Sequence, residues 1–308
     1  MNSLGIFAAP GKPAASELAR RIISLSEAAG LAVKIQSRLA GELNRADLGR
    51  ESDEEIAAGD VLVTLGGDGA VLVAARAAAC SQTPILAIDL GRLGFLSAVR
   101  PTELETAFFQ LLRGELIAEE RMMLEARVLR ARPGQRGEAN ETTGVLPVAR
   151  EDVGGGIGLN DAVVAKSALA RILRLSVFLD GELVAETRAD GLIVATPTGS
   201  TAYALSAGGP IVHPAVPLLL VCPICAHSLA QRPLVVGPQE TVEIHAEWDG
   251  DEVASSELEA MLTIDGQIGV RLQPGDIVQV RQAKCAARLL HLPGYSFYDR
   301  LREKMGWG

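Results

Sequence analysis

The chain contains 308 residues, of which 48% are hydrophobic and 22% charged, so it is long enough for one large or two ordinary globular domains. Its formal net charge of −9 argues against nucleic acid or an anionic membrane as the main partner, although a phosphorylated small molecule needs only local positive potential. No signal peptide is visible, and the longest apolar run, residues 215–226, contains two prolines and is too short to span a bilayer. Four cysteines are too few for a disulfide scaffold, so we expect a cytoplasmic protein.

The first third of the chain alternates apolar strand patterns with helical patterns, which is typical of an α/β layered unit. Strands are predicted at residues 4–9, 31–36, 60–65 and 84–90, and helices at residues 16–30, 70–79 and 101–115. We expect Ser16 to cap the first helix and Gly30 to end it. Thr102 and Glu105 predict a capping box for the third helix, which Gly114 ends.

Beyond about residue 120 the pattern changes to short strands joined by turns, which predicts a mostly antiparallel β domain. The Asp265-Gly266 pair and residues 274–276 have the composition of hairpin turns. Residues 132–158 are polar, glycine-rich and without period, so we expect a mobile surface insertion in a β-hairpin. An amphipathic helix capped by Ser296 is predicted at the end.

The sequence Cys222-Pro-Ile-Cys225, followed by His227, suggests half of a zinc site or a redox pair. A structural zinc ion needs about four ligands, and the chain has no second C-x-x-C. The end of a buried strand is therefore the preferred interpretation, with metal or redox chemistry as the alternative.

A glycine loop follows the third predicted strand, where residues 60–65 run into Gly66-Gly67-Asp68-Gly69 and then into a helix. Ligands of α/β sheets bind at the carboxyl ends of parallel strands, where glycines let N–H groups approach a phosphate and a helix directs its positive end toward it. An aspartate there can hold a metal or accept a proton from a reacting hydroxyl, both useful in phosphoryl transfer. A simple turn in which Asp68 caps the helix is the alternative. The loop matches neither the G-x-G-x-x-G fingerprint nor the Walker phosphate loop.

A second loop repeats this pattern, because the apolar residues 192–196 run into Pro197-Thr198-Gly199-Ser200-Thr201 and then into a short helix. Its hydroxyls are candidate ligands for ribose or phosphate, and Tyr203 is a candidate partner for a base. These hydroxyls belong to Thr198, Ser200, Thr201 and Ser206. Plain helix caps are the alternative. Two such loops in one chain favour a nucleotide site.

Several stretches together resemble the bacterial NAD kinase family. They are LGGDG (65–69), LGRLGFL (90–96), LND (159–161) and residues 188–214, 222–236 and 296–308. GGDG alone is also found in diacylglycerol and sphingosine kinases and in phosphofructokinases, whereas the stretch with TPTGSTAY (196–203) is highly specific. The resemblance covers nearly the whole chain except residues 132–158.

The resemblance implies an amino-terminal Rossmann-like α/β domain at residues 1–115 and a β-rich dinucleotide-binding domain at residues 116–289. A final helix within residues 290–308 is expected to return to the first domain. Family members are usually homodimers or homotetramers, and neither nucleic acid nor a membrane is expected as a partner.

The resemblance also implies roles for single residues. Asp68 matches the catalytic aspartate, and Gly66, Gly67 and Gly69 form the phosphate loop around it, with Asp68 and Gly69 also contacting NAD. Asn160 and Asp161 match an Asn-acid pair that binds the riboses of NAD, although many relatives have Glu at the second position. The remaining positions that match NAD contacts are Arg171, Arg188, Asp190, Thr201, Ala202, Tyr203, Ala204, Leu205, Ser206 and Gln267.

The implied reaction transfers a phosphoryl group to the 2′-hydroxyl of the adenosine ribose of NAD, which gives NADP. The donor is ATP or inorganic polyphosphate, used with Mg²⁺ or another divalent cation that is not tightly bound. In this chemistry Asp68 orients the 2′-hydroxyl and takes its proton, a contribution worth ~10²–10⁴-fold in rate. The residues that contact the metal are not indicated.

Three positions depart from the family's usual pattern. Ala70 stands where Thr is usual, Val73 where a basic residue is usual, and Asp89 where Asn is usual. The missing cation weakens the positive potential for phosphate, and Asp89 adds negative charge near the same loop. Three basic residues are candidates to compensate: Arg76, Arg92 and Lys166.

These departures motivate a second hypothesis, a catalytically weak protein that binds NAD or NADP and serves in regulation. A lipid kinase of the diacylglycerol type is the third. The TPTGSTAY segment and the lack of an amphipathic or basic membrane element argue against a lipid substrate.

Overall fold

A computed structural model describes the chain except for residues 92–93, 137–147, 167–171, 229, 248–259 and 308. The chain divides into two compact units, one formed by Met1–Arg121 with Cys285–Gly308 and the other by Met122–Lys284. The first unit is α/β and the second is mostly β, which confirms the predicted fold class.

The first unit is built on a parallel sheet whose strands alternate with helices. In chain order its elements are β1 (Ser3–Ala8), α1 (Pro13–Ala28), β2 (Ala32–Gln36), α2 (Ser37–Leu43), β3 (Gly49–Arg50), α3 (Asp53–Ala57), β4 (Val61–Gly66), α4 (Asp68–Ala78), β5 (Ile85–Asp89) and α5 (Leu104–Arg113). The strand order is β3-β2-β1-β4-β5, and all neighbours run parallel. Because β1, β4 and β5 carry apolar side chains that are buried, they form the core that holds the strand ends in place.

The helix starts of this unit differ from those predicted. Pro13 begins α1, since its fixed φ suits the first helical turn, and the Ser16 hydroxyl donates to Glu42 instead of capping. Before α5, residues Pro101–Glu103 form a 3₁₀ turn, and Glu105 pairs with Arg21. The predicted Ser16 cap and the predicted Thr102–Glu105 capping box are therefore wrong. The glycines predicted to end these helices, Gly30 and Gly114, do follow them at positive φ.

The second unit consists of antiparallel strands in two sheets. Its elements, with the strands at either end that extend into the first unit, are β6 (Ile117–Arg136), β7 (Val148–Gly158), β8 (Asp161–Lys166), β9 (Leu173–Leu179), β10 (Glu182–Ala189), β11 (Gly191–Ala195), α6 (Tyr203–Ser206), β12 (Leu219–Ile224), β13 (Leu234–Val236), β14 (Val242–Glu247), β15 (Ala260–Ile264), β16 (Ile268–Arg271) and β17 (Ile277–His291). One sheet has the order β13-β12-β11-β8-β15-β16, and in the other β10, β9, β14 and β17 are successive neighbours, with β6 alongside β17 and β7 alongside β6.

Two predicted turns are confirmed in this unit. Asp265 and Gly266 both have positive φ, and Gln267 N–H donates to Ile264 O at 2.9 Å, which is a primed hairpin turn between β15 and β16. Gly275 also has positive φ and follows Pro274, as a type II turn requires.

The predicted β-hairpin around residues 132–158 is confirmed by the antiparallel pair β6–β7, but the predicted bounds of the insertion are wrong, because the two strands extend into it as far as Arg136 and from Val148. Gly155 has a physical reason to lie in a strand, since a Cβ there would be 2.0 Å from the carbonyl oxygen of Ala126. Residues 137–147 of the predicted insertion lie outside the described part of the chain.

The chain ends with α7 (Phe297–Met305), which belongs to the first unit as predicted. The Ser296 hydroxyl accepts from Asp299 N–H at 3.3 Å, so the predicted cap is confirmed. In the second unit, β12 ends at Ile224 with Cys222 in its core, which confirms the strand end expected there. None of the described helices is both long and apolar enough to span a membrane.

Candidate active site

The glycine loop lies at the carboxyl edge of the parallel sheet in the first unit. Gly66 ends β4, Asp89 ends the neighbouring β5, and the two residues are paired in register. The α4 helix begins at Asp68, two residues earlier than predicted, and Ala70 packs so closely that a Cβ on Gly66 would be 2.6 Å from it. The loop therefore sets Asp68 in the first turn of a helix, beside a second carboxylate.

The carboxylate of Asp68 accepts hydrogen bonds from the segment that follows β5. Phe95 N–H donates to Oδ2 at 2.9 Å, Leu96 N–H donates to Oδ1 at 3.1 Å, and the Ser97 hydroxyl lies 3.2 Å from Oδ1. The alternative that Asp68 serves as a cap for its own helix is wrong, because Gly67 occupies the cap position and the Asp68 oxygens face residues 95–97. Asp68 is half-buried, and Gly69 beside it is exposed.

Asp89 is buried, and both of its carboxylate oxygens accept hydrogen bonds from residues that follow it in the chain. Its oxygens accept from Gly91 N–H at 2.7 Å, from Gly94 N–H at 2.9 Å and from the Ser97 hydroxyl at 2.7 Å. From the sequence, Asp89 was expected to add negative charge near the glycine loop. In the structure three hydrogen-bond donors stabilise that charge.

The structure describes two of the three cations proposed to compensate for Val73, Arg76 and Lys166. Arg76 lies two turns along α4, about 12 Å from Asp68 along the helix axis. Lys166 belongs to the second unit and is paired with Asp190 at 3.0 Å. Arg92 lies outside the described residues.

A second set of predicted residues meets at one edge of a sheet in the second unit. Ala195 at the end of β11 pairs with Asp161 at the start of β8, and β8 pairs on its other side with β15, which ends at Ile264. The loops at residues 159–161, 196–201 and 265–267 therefore lie side by side.

Asp265 holds the Asn160–Asp161 segment through the backbone. Its carboxylate accepts from Leu159 N–H at 2.9 Å, Asn160 N–H at 2.8 Å and Asp161 N–H at 3.2 Å. Asp161 is buried, and burial together with the negative charge of Asp265 raises the pKa of Asp161 to about 7. A carboxyl group with that pKa both donates and accepts hydrogen bonds near neutral pH.

The loop after β11 uses most of its hydroxyls internally. Ser200 is fully buried and bonds to Pro197 O at 2.6 Å and to Val212 N–H at 2.9 Å, and Thr201 donates to Thr198 O. Ser200 is thus a structural residue and not the ribose or phosphate ligand expected. Gly199 crosses residue 160 so closely that a Cβ would be 2.1 Å from Asn160 O.

Other predicted NAD-contact residues differ in how far their side chains are exposed. In α6 and its start, Tyr203 and Ser206 are exposed, whereas the side chain of Ala204 is in the core. Gln267 is exposed in the hairpin turn that contains Asp265.

Asp190 lies at the opposite end of β11 from Ala195, and Arg188 belongs to β10 of the other sheet. Five strand residues span about 13 Å, so Asp190 can meet only a part of a ligand different from the part near Asn160. Arg171 lies outside the described residues.

Four further residues of these two edges were not singled out from the sequence: Gly94, Ser97, Thr196 and Asp265, the last recognised only as part of a turn. Thr196 joins the loops of the second unit, since its hydroxyl donates to Leu159 O at 2.6 Å. A possible indication for Gly94 and Ser97 was their place in or directly after the LGRLGFL stretch. Among the described residues, no group of three or more His, Cys, Asp and Glu side chains is arranged to hold a metal ion.

Two family models match the chain, the ATP-NAD kinase N-terminal domain at residues 4–116 and the ATP-NAD kinase C-terminal domain at residues 159–292. A curated NAD kinase from Moorella thermoacetica is 42% identical over 308 residues, which are 100% of this chain and 90% of the relative. An NAD kinase from Symbiobacterium thermophilum is 42% identical over 294 residues, which are 96% of this chain and 95% of the relative.

Solved structures are similar as well. The crystal structure of yeast NADH kinase complexed with NADH has a TM-score of 0.81 at 28% identity, covering 100% of this chain and 88% of that one. An NAD kinase from Archaeoglobus fulgidus in complex with ATP has a TM-score of 0.70 at 23% identity over 99% of both chains, and that similarity concerns the fold alone.

Proposed function

Because the chain belongs to the NAD kinase family, we propose that Asp68 is the proton acceptor in phosphoryl transfer to NAD. NAD kinase activity is the function that this membership supports, in preference to a purely regulatory binding protein or a lipid kinase. The product is NADP, with the new phosphate on the 2′-hydroxyl of the adenosine ribose.

One observation carries the role of Asp68. Its carboxylate is at the carboxyl edge of a parallel sheet and in the first turn of α4, and the loop donors leave one of its oxygens with a single hydrogen bond. Asp68 orients the 2′-hydroxyl and accepts its proton as the oxygen–phosphorus bond forms. The N–H groups of Gly67 and Gly69 and the helix start stabilise negative charge on the transferred group.

The NAD-binding residues proposed from the family pattern are supported by the edge of the second unit. Asn160 offers an amide to a ribose, and Asp161, with its pKa near 7, both donates to and accepts from ribose hydroxyls. Exposed Tyr203, Ser206 and Gln267 are available to the adenosine end. Arg188 and Asp190 contact a more distant part of NAD, and the remaining proposed contacts are Gly69, Arg171, Thr201, Ala202, Ala204 and Leu205.

The donor is ATP, or inorganic polyphosphate as the alternative, and the two matching family models, described as ATP-NAD kinase domains, support a nucleotide donor. Mg²⁺ enters as part of the Mg·ATP substrate, because hard divalent cations bind phosphate oxygens with few protein ligands and several waters. Asp68 is the carboxylate of the glycine loop available to such a cation.

The protein acts as a homodimer or homotetramer in the cytoplasm. The four cysteines, which form no disulfide, support a reducing compartment.

An endpoint assay tests this function. The protein is incubated with NAD, Mg²⁺ and either ATP or polyphosphate, and NADP is measured with an NADP-specific dehydrogenase. NADP is expected with at least one donor, and the Asp68→Asn variant is expected to form it about 10²–10⁴-fold more slowly. NAD or NADP binding without NADP formation from either donor would instead identify a regulatory protein.

A further inference from the structure

A single side chain joins the two carboxylates at the edge of the first unit. The Ser97 hydroxyl lies 2.7 Å from Asp89 Oδ2 and 3.2 Å from Asp68 Oδ1, and Ser97 is 1% exposed. The hydroxyl hydrogen is within reach of both carboxylates and is protected from competition by water.

Asp89 holds the described part of the segment after β5, residues 91 and 94–97, at three points, the N–H groups of Gly91 and Gly94 and the hydroxyl of Ser97. Asp89 is itself the last residue of β5, which is paired along its length with β4. The position of this segment is therefore set by the sheet.

The same segment encloses Asp68. Successive N–H groups of Phe95 and Leu96 bind its two oxygens, which is a common geometry for holding an anion. Gly94 approaches so closely that a Cβ would be 1.8 Å from Asp68 Oδ1. The Asp68 carboxylate has little room to rotate.

The hydrogen bonds distinguish the two oxygens of Asp68. A carboxylate oxygen has about two lone-pair directions. Oδ1 faces both Leu96 N–H and the Ser97 hydroxyl, whereas Oδ2, among the residues that the structure describes, accepts from Phe95 N–H alone. Oδ2 is the oxygen with a direction open to a substrate hydroxyl.

We propose that Asp89 and Ser97 are positioning residues that hold Asp68 with Oδ2 directed at the acceptor hydroxyl. This inference rests on the proposed role of Asp68 as proton acceptor. Asp89 acts as a hydrogen-bond acceptor and not through its charge. An Asn side-chain oxygen in the place of Oδ2 would still accept from Gly94 N–H and Ser97, whereas its NH₂ group would face the Gly91 N–H, a second donor, and could not accept from it.

The test compares variants that remove these contacts with variants that keep them. Ser97→Ala and Asp89→Ala are expected to lower kcat by about 10- to 100-fold, since a misplaced catalytic group costs up to about 100-fold, with a much smaller change in the KM for NAD. Ser97→Thr keeps the hydroxyl and Asp89→Asn keeps the main acceptor, so both are expected to stay within about threefold of the natural kcat.

Ser81→Ala is the matched control, because the Ser81 hydroxyl makes a similar bond to Ala78 O in the same unit. Its kcat is expected to be unchanged. Hydrogen exchange of the peptide containing Phe95 and Leu96 should be faster in Ser97→Ala and Asp89→Ala than in Ser97→Thr. If Asp89→Ala does not fold, the Ser97→Ala and Ser97→Thr pair decides.

Natural kcat in Ser97→Ala, or a defect in KM alone, would overturn the positioning role. A different result would contradict the proposed function: the Asp68→Asn variant would then keep the natural kcat. An inactive Asp68→Asn beside a fully active Ser97→Ala refutes only the positioning role.

Discussion

Each unit carries an aspartate that holds a loop by accepting several backbone N–H groups, yet the neighbouring carboxyl group is treated differently. In the first unit Asp89 is separated from Asp68 by the Ser97 hydroxyl, and Asp68 has its own donors. In the second unit Asp265 binds the N–H of Asp161, and its charge adds to burial in raising the pKa of Asp161 to about 7. The same arrangement thus supplies donors around Asp68, the proposed proton acceptor, and favours the neutral form of Asp161, the proposed ligand of ribose hydroxyls.

The largest effect should come from Asp68→Asn, which removes the proton acceptor of the first edge and keeps its size. We expect kcat to fall by about 10²–10⁴-fold. The Kd for NAD, measured by calorimetry, should change by less than about threefold, because the interaction is needed mainly in the transition state. A large loss of NAD affinity would show that Asp68 serves mainly in NAD binding and not in the chemical step.

The Gly94→Ala change should displace the Asp68 carboxylate in the first unit without removing any hydrogen-bonding group. The added methyl would overlap Asp68 Oδ1, so the carboxylate must turn and kcat should fall by about 100-fold. Gly41→Ala is the control, since a Cβ there meets nothing within 4 Å and the residue lies in α2. A Gly94→Ala enzyme with natural kcat would show that the orientation of Asp68 is not fixed by this contact.

Gly199→Ala is the matching change at the second edge. Its methyl would overlap Asn160 O and push the two loops apart, so NAD binding should weaken by about tenfold, or 1.4 kcal/mol. Its effect should appear in the KM and Kd for NAD more than in kcat. A variant that loses kcat alone would contradict the division of roles between the two edges.

The last prediction does not involve turnover and is a pH dependence of stability caused by Asp161. Because its folded-state pKa is raised from 3.8 to about 7, the folded chain keeps a proton that the unfolded chain releases, and stability falls as pH rises between these values. Asp161→Asn removes this term, so the free energy of unfolding of the variant relative to the natural chain should rise by up to about 1.4 kcal/mol per pH unit from pH 4 to 7.

Urea unfolding at several pH values measures this slope. Asp60→Asn is the control of opposite sign, because the N–H groups of Asn2 and Ser3 lower the pKa of Asp60 and its contribution is lost as pH falls. A flat difference for Asp161→Asn would mean that Asp161 is ionised throughout.

The sequence predicted the strands and long helices of the first unit well, because buried parallel strands are continuous apolar runs and α1 has a clear helical period. It missed α2, α3 and β3, which are too short to show a period. The glycine-rich part of β7 was taken for a loop, since glycine disfavours strands unless another backbone approaches closely, as at Gly155.

The residues of the candidate site also divide into those that the sequence indicated and those that it did not. Asp68 was evident from the glycine loop, because the glycines and the helix start that identify it are adjacent to it in sequence. Ser97 and Asp265 act on residues that are 29 and 104 to 106 positions away, and hydrogen bonds over such distances leave no local pattern. Ser200 was misjudged for the same reason, since its partner Val212 lies beyond the helix that follows.

The most direct measurement is the stoichiometry of the reaction followed by ³¹P NMR with NAD and Mg·ATP. We predict one new 2′-phosphomonoester on the adenosine ribose of NAD for each ADP formed. ADP and inorganic phosphate without that ester, or bound NAD that stays unmodified with both ATP and polyphosphate, would contradict NAD kinase activity.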